Sequence, residues 1–128
     1  MTPARAGQDQ PVKVTHTFAG LPVADYATAY DWYVRLLGRD ADMFPHEREC
    51  VWRLTATSSI YVVQDSEGAG RALVTLAIED LGAHEQRLRD NELIFTEEAS
   101  GAAPRRLVVS DIDGNRLVFF EDPAPTGA

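Results

Sequence analysis

One unit recurs along this chain. Val23-Ala24-Asp25, at the junction of a strand and a helix, returns as Ile78-Glu79-Asp80, so Asp80 follows Asp25 by 55 residues. Tyr61-Val62-Val63-Gln64-Asp65 returns as Val118-Phe119-Phe120-Glu121-Asp122, an offset of 57. Nearly equal offsets at both ends of a segment point to duplication of one supersecondary unit. Two copies within 128 residues restrict the chain to one domain with an approximate twofold axis.

Each copy can be followed as strand, helix and three further strands. Residues 12–19 are β-branched and roughly alternating, and Gly20-Leu21-Pro22 is expected to break that strand before a helix starts at Asp25, its N-cap. Tyr26, Ala29, Tyr30, Tyr33, Leu36 and Leu37 recur at helical spacing until Gly38 stops the helix. A short edge segment at 41–44, then strands at 49–54 and 59–64 paired across Thr55-Ala56-Thr57-Ser58, complete the first module, 12–65. Asp65 to Gly70 reads as the linker. The second module, 71–122, repeats the order: strand 72–78, helix 81–91, short strand 93–96, and strands 106–110 and 116–121 joined through Asp111-Ile112-Asp113-Gly114. The reading is an α+β domain of two tandem βαβββ modules forming a cupped mixed sheet with helices on the outside. The polar ends, 1–11 and 123–128, are expected to be disordered.

A formal charge of −8 and a pI near 4.7 repel phosphate backbones and anionic membrane surfaces, so neither nucleic acid nor membrane is an expected partner. Arg35 with Arg39 and Arg105 with Arg106 read as solvated faces. Cys50 cannot form an internal disulfide, no apolar leader core follows Met1, and no run of about 18 apolar residues occurs, which together imply a cytoplasmic protein. Cys50 sits on an expected strand without a basic neighbour, as an inert buried thiol would.

A doubled βαβββ unit with Val23-Ala24-Asp25, Trp32-Tyr33 and Leu36-Leu37-Gly38 in its first half and Asp111-Ile112-Asp113-Gly114-Asn115 in its second resembles the vicinal oxygen chelate superfamily. That superfamily includes glyoxalase I, extradiol dioxygenases and bleomycin-resistance proteins. The resemblance covers about residues 13–122 and implies a sheet cup, often in a homodimer. In the metal enzymes of the family, four side chains, two from each module, point into the cup. Counted from the motifs, those positions fall here on Phe18, Tyr61, Leu73 and Val118, in place of His, Glu or Gln. No metal and no other cofactor is therefore expected. A bulge at the end of the first strand would bring His16 toward the first position, and a second bulge would be needed to recruit Glu121.

Strand alternation gives the expected cup lining: Phe18 with His16, Tyr61 with Val63, Leu73 with Thr75, and Val118 with Arg116 and Phe120. Trp52 at an exposed cup edge would stack on a flat ligand, whereas a strand tryptophan is more often packed in the core. The ligand-binding candidates are thus Phe18, Trp52, Tyr61, Val63, Leu73, Thr75, Arg116, Val118 and Phe120. Such a lining suits an apolar or planar small molecule held by a few polar tips, while the same residues would equally fill a plain core. Weak catalytic candidates are His16, Tyr61 and His46, the last beside Glu47 and Glu49. His84 is expected to face solvent or a partner subunit. Surplus aromatic residues on the first helix, including Trp32 and Tyr26, are expected in part at a dimer interface.

Three functions compete on this reading. One is metal-independent binding of a small molecule, such as sequestration of an antibiotic. Another is a metal-dependent lyase, isomerase or dioxygenase of glyoxalase type. The third is a metal-free enzyme using His46 or His16 as base with Tyr61 as donor. Fold alone does not choose among them.

Overall fold

The structure, a computed structural model, describes residues 10–99, 101–102 and 104–123, so most of both expected tails lies outside the described residues. The first module comprises β1 (Thr17–Val23), α1 (Tyr26–Leu37), β2 (Met43–His46), β3 (Glu49–Thr55) and β4 (Ser58–Gln64). The second comprises β5 (Leu73–Ile78), α2 (Leu81–Asp90), β6 (Phe95–Glu98), β7 (Arg106–Ser110) and β8 (Arg116–Glu121). Each module forms a mixed four-stranded sheet, ordered β1-β4-β3-β2 and β5-β8-β7-β6, with β1 and β5 parallel to their neighbours and the other pairs antiparallel. The chain is thus α+β with two βαβββ modules, and the two ladders are hydrogen-bonded separately.

The duplication is visible in the register. Phe18 stands across from Ser59 and Gly20 from Tyr61, while Leu73 stands across from Arg116 and Thr75 from Val118. The offsets of 55 and 57 therefore hold residue by residue. They extend to the helix starts: the first helical N–H, Tyr26 in α1 and Leu81 in α2, donates to the last side chain of the inner strand, Gln64 at 3.1 Å and Glu121 at 3.0 Å. Each bond satisfies a donor that the helix itself cannot.

The strand expected over 12–19 instead begins at Thr17 and continues through Gly20-Leu21-Pro22. β1 is an edge strand, where a proline need not cost a ladder bond. Val12 and Val14 are exposed. Gly20 has a steric role: a Cβ there would lie 2.6 Å from the tip of the Tyr61 ring, which crosses over it. The short strand expected at 93–96 shifts to Phe95–Glu98.

One contiguous core joins both modules. Alternation turns Leu21, Cys50, Trp52, Ile60 and Val62 of the first sheet and Leu107, Val109, Leu117 and Phe119 of the second toward Tyr33, Leu36 and Leu88 of the helices. The Asp111–Asn115 turn closes the joint between the modules. Asp111 Oδ1 accepts the backbone N–H groups of Asp113, Gly114 and Asn115, and Oδ2 accepts the Tyr33 hydroxyl at 2.7 Å and Asn115 Nδ2 at 2.8 Å. Asn115, fully buried, also donates to the Pro22 carbonyl at 2.7 Å and accepts from the Ala72 N–H at 2.9 Å, tying the end of β1 to the start of β5. Burial and the Asp111 carboxylate raise the Tyr33 phenol above its ordinary pKa, so this hydroxyl is a stable donor. No helix among the described residues is long and apolar enough to cross a membrane.

Candidate functional site

A ligand could be held on the sheet faces turned away from the helices or in a cavity between the modules. On the outward faces stand Phe18, Tyr61, Val63, Leu73, Thr75, Arg116, Val118 and Phe120, opposite in parity to the core residues. Phe18 is 56% and Leu73 62% exposed, so each module presents apolar surface along its edge strand. Val118, between Thr75 and Val108 on the ladder, is covered by its surroundings. A recess of about 170 Å³ is lined by Phe18, His16, Met43 and Val51 with Asp42 and Arg53 at its polar end.

Trp52 does not belong to this face. Its side chain is 0% exposed, stacks on Tyr30 with centroids 5.7 Å apart, and donates its indole N–H to the Arg39 carbonyl at 3.0 Å. Its neighbours Val51 and Arg53 take the outward face, so the expected stacking platform is a core residue. Trp32 also enters the core, edge-on to Tyr33, rather than an interface.

The histidines separate. His16 precedes β1 and is held by Ser59, Nε2 to Oγ 2.8 Å, with its ring 4.5 Å from that of Phe18. His46 does meet a carboxylate, Nε2 lying 2.9 Å from Glu49 Oε1, while its Nδ1 accepts the Arg48 N–H. His46, on an exposed edge, borders a shallow pocket with Tyr26, Tyr30, Phe44 and Glu47. His84, expected at the surface, is buried to 8% exposure with its ring 4.1 Å from that of Phe119. Burial in first place, and then the Arg87 charge, lowers its pKa to about 4, so the imidazole is neutral at pH 7.

The cavity that His84 borders, about 510 Å³, was not legible as a site in the sequence. It lies between β1, β4 and β5 and the helices, with Ala19, Ile60, Leu76 and Phe119 among its apolar walls and His84 and Arg87 at its helical side. Thr75 stands on its lining as well as on the outward face.

The four positions that the resemblance assigns to metal ligands do not fit a divalent ion. Phe18, Leu73 and Val118 offer no donor atom, and one phenol does not make a coordination set. Glu121, the acid nearest in sequence to Val118, is spent on the α2 N-terminus. Among the described residues no group of three or more His, Cys, Asp or Glu side chains could hold a metal ion. Cys50 is buried, and burial raises its thiol pKa, which disfavours the thiolate.

No family model matches the sequence, and no curated protein matches it. Solved structures do. A glyoxalase/bleomycin resistance protein from Catenulispora acidiphila is 35% identical, with 84% of this chain and 98% of that one covered and a TM-score of 0.80. The chain belongs to the glyoxalase/bleomycin resistance protein family. Two further structures share the fold. An antibiotic binding protein from Streptomyces sp. CB03234 is 22% identical, covering 87% of this chain and 96% of that one, with a TM-score of 0.67. A lactoylglutathione lyase from Agrobacterium tumefaciens is 12% identical, covering 88% and 96%, with a TM-score of 0.71.

Proposed function

We propose that this protein is a metal-independent small-molecule-binding member of its family, acting in the cytoplasm and holding an apolar or aromatic ligand against the outward sheet faces. The observation that carries the reading is the chemistry of the four positions Phe18, Tyr61, Leu73 and Val118. They replace a donor set with apolar surface and a single phenol, which favours burial of a hydrophobic ligand over polarisation of vicinal oxygens. Phe18, Leu73, Val63 and Phe120 supply contact area over the buried Val118, while Tyr61, Thr75 and Arg116 supply the hydrogen bonds that orient the ligand. The antibiotic binding protein that shares the fold supports an antibiotic as the ligand class. A homodimer completes the site on this reading, because β1 and β5 are edge strands whose exposed Phe18 and Leu73 would be covered by a second copy.

The test is calorimetric titration of the untagged protein with a panel of aromatic and cationic antibiotics, with and without chelator, alongside its metal content. Binding that survives the chelator and is lost in Tyr61→Ala and Val118→Asp supports the reading. One metal per chain with chelator-sensitive turnover would replace it with a glyoxalase-like lyase, isomerase or dioxygenase. Turnover that survives the chelator but not His16→Ala or His46→Ala would replace it with acid-base catalysis.

A further inference from the structure

A recess between α1 and β2 lies apart from the outward sheet faces. Tyr26 and Tyr30 of α1 and Phe44 of β2 line this shallow pocket of about 660 Å³ together with Asp31, His46 and Glu47. Tyr30 stands between the other two rings, its centroid 6.1 Å from that of Tyr26 and 5.9 Å from that of Phe44, tilted by 40° and 50°. Phe44 is 57% exposed, an aromatic ring left largely in water on an edge strand. Its neighbour Met43 lines the recess beside Phe18 on the other face, as alternation along β2 requires.

The pocket is also negatively charged. Among the described residues the Asp31 and Glu47 side chains form no ion pair and no hydrogen bond, so both carboxylates are open to a ligand's charge. The basic His46 is matched by Glu49 at 2.9 Å, and Arg48 lies on an adjoining recess with Asp25 and Glu47. The Tyr30 hydroxyl donates to Asp40 at 3.4 Å, which leaves more electron density on the ring, and accepts the Ala41 N–H at 3.3 Å. Ring faces attract cations, the two carboxylates add Coulomb attraction, and the formal charge of −8 favours a cationic encounter. A strongly hydrated ammonium gains little from rings that require it to shed water. A methylated ammonium, weakly hydrated and apolar at its surface, suits both the rings and the carboxylates.

We propose that this pocket is a second ligand site, separate from the outward sheet faces, that takes a small free organic cation with a methylated ammonium head. The head lies against Tyr26, Tyr30 and Phe44, and Asp31 and Glu47 balance its charge. Trp52 stacks on Tyr30 with centroids 5.7 Å apart, so a cation seated against Tyr30 also alters tryptophan emission.

The experiment titrates the full chain with choline, with its neutral carbon isostere 3,3-dimethylbutan-1-ol and with ethanolamine, and follows the ligand's methyl protons by NMR and the protein's tryptophan emission. Choline is expected to bind once per chain with its N-methyl resonance moved upfield by the ring currents, the alcohol and ethanolamine each binding at least about fivefold more weakly. Phe44→Leu keeps an exposed apolar side chain without the ring, and Asp31→Asn with Glu47→Gln removes the charges; each change is expected to weaken choline at least about threefold. An unmoved methyl resonance overturns the proposal, as does an isostere or ethanolamine that binds as tightly as choline, or wild-type affinity in both the Phe44 and the carboxylate variants. Choline binding lost in Tyr61→Ala would place the cation on the outward faces, and cosedimentation with phosphatidylcholine vesicles would make the ligand a lipid head group. Either result overturns a separate site for a free cation.

Discussion

Replacing Asp111 by alanine removes five hydrogen bonds from the joint between the modules, three from backbone N–H groups and two from the Tyr33 hydroxyl and the Asn115 amide. The losses are unequal. Asp113 and Gly114 are at least partly exposed, and their N–H groups can turn to water, so their net cost is small. Tyr33 and Asn115 are fully buried, and each stranded donor there costs about 1–3 kcal/mol. The three such donors, the Tyr33 hydroxyl and the Asn115 N–H and amide, together give about 3–9 kcal/mol, a large part of the roughly 5–15 kcal/mol that stabilises a domain of this size. Tyr33→Phe removes only the hydroxyl, one bond to a charged acceptor, at about 2 kcal/mol. Urea denaturation at pH 7, followed by circular dichroism, measures both variants and their combination. In the double variant Tyr33→Phe should add little, a coupling of about 2 kcal/mol. If Asp111→Ala costs less than about 1 kcal/mol, or if Tyr33→Phe costs the same with and without Asp111, the turn is not the clasp described here.

The folded state keeps the Tyr33 proton that an unfolded chain releases near pH 10, so stability is complete below that pH and falls above it by about 1.4 kcal/mol per unit; Tyr33→Phe should flatten this alkaline limb in pH-dependent denaturation. His84 has the opposite sign: its depressed pKa makes the stabilisation complete above about 6.5 and lost as pH falls toward about 4, at roughly 1.4 kcal/mol per unit, and His84→Phe should remove that slope. Gly70→Ala should cost more than about 2 kcal/mol by thermal denaturation, because φ there is +84° and a Cβ would strike the Asp113 carbonyl oxygen. Gln64→Ala and Glu121→Ala should each lose about 1 kcal/mol and unprotect the first turn of α1 or α2 in hydrogen exchange.

The duplication was legible because repeated elements preserve offsets, and the register honours those offsets from Phe18 and Leu73 to Gln64 and Glu121. At the end of β1 a long-range contact overrides a local signal. Gly20 and Pro22 look like strand breakers, yet the glycine accommodates the Tyr61 ring and the proline lies on an edge strand. Of the two readings of Trp52, stacking at the cup edge or packing, the structure shows packing, in line with its parity with Cys50 and Leu54. His84 could have been placed inside from Leu81 and Leu88, three before it and four after, which mark one helical stripe. The cavity beside it was not legible, since its walls come from both modules and meet only when the joint closes.

The same contrast bears on the four positions that the resemblance assigns to metal ligands, Phe18, Tyr61, Leu73 and Val118. In this chain Tyr33, Asp111 and Asn115 hold the modules together and Gln64 and Glu121 cap the helix start within each module, and none of them is one of those four positions. Phe18 and Leu73 are exposed, so substitution there touches little of the core. Gly20 ties Tyr61 to its strand sterically, but a smaller side chain at 61 would relieve rather than strain that contact. If the outward face binds the ligand as proposed, stability and ligand chemistry are carried by separate residues. Tyr61→Ala should accordingly change stability by less than about 1 kcal/mol while abolishing ligand binding to the outward face. A loss of stability as large as that of Asp111→Ala would mean that the face is core after all.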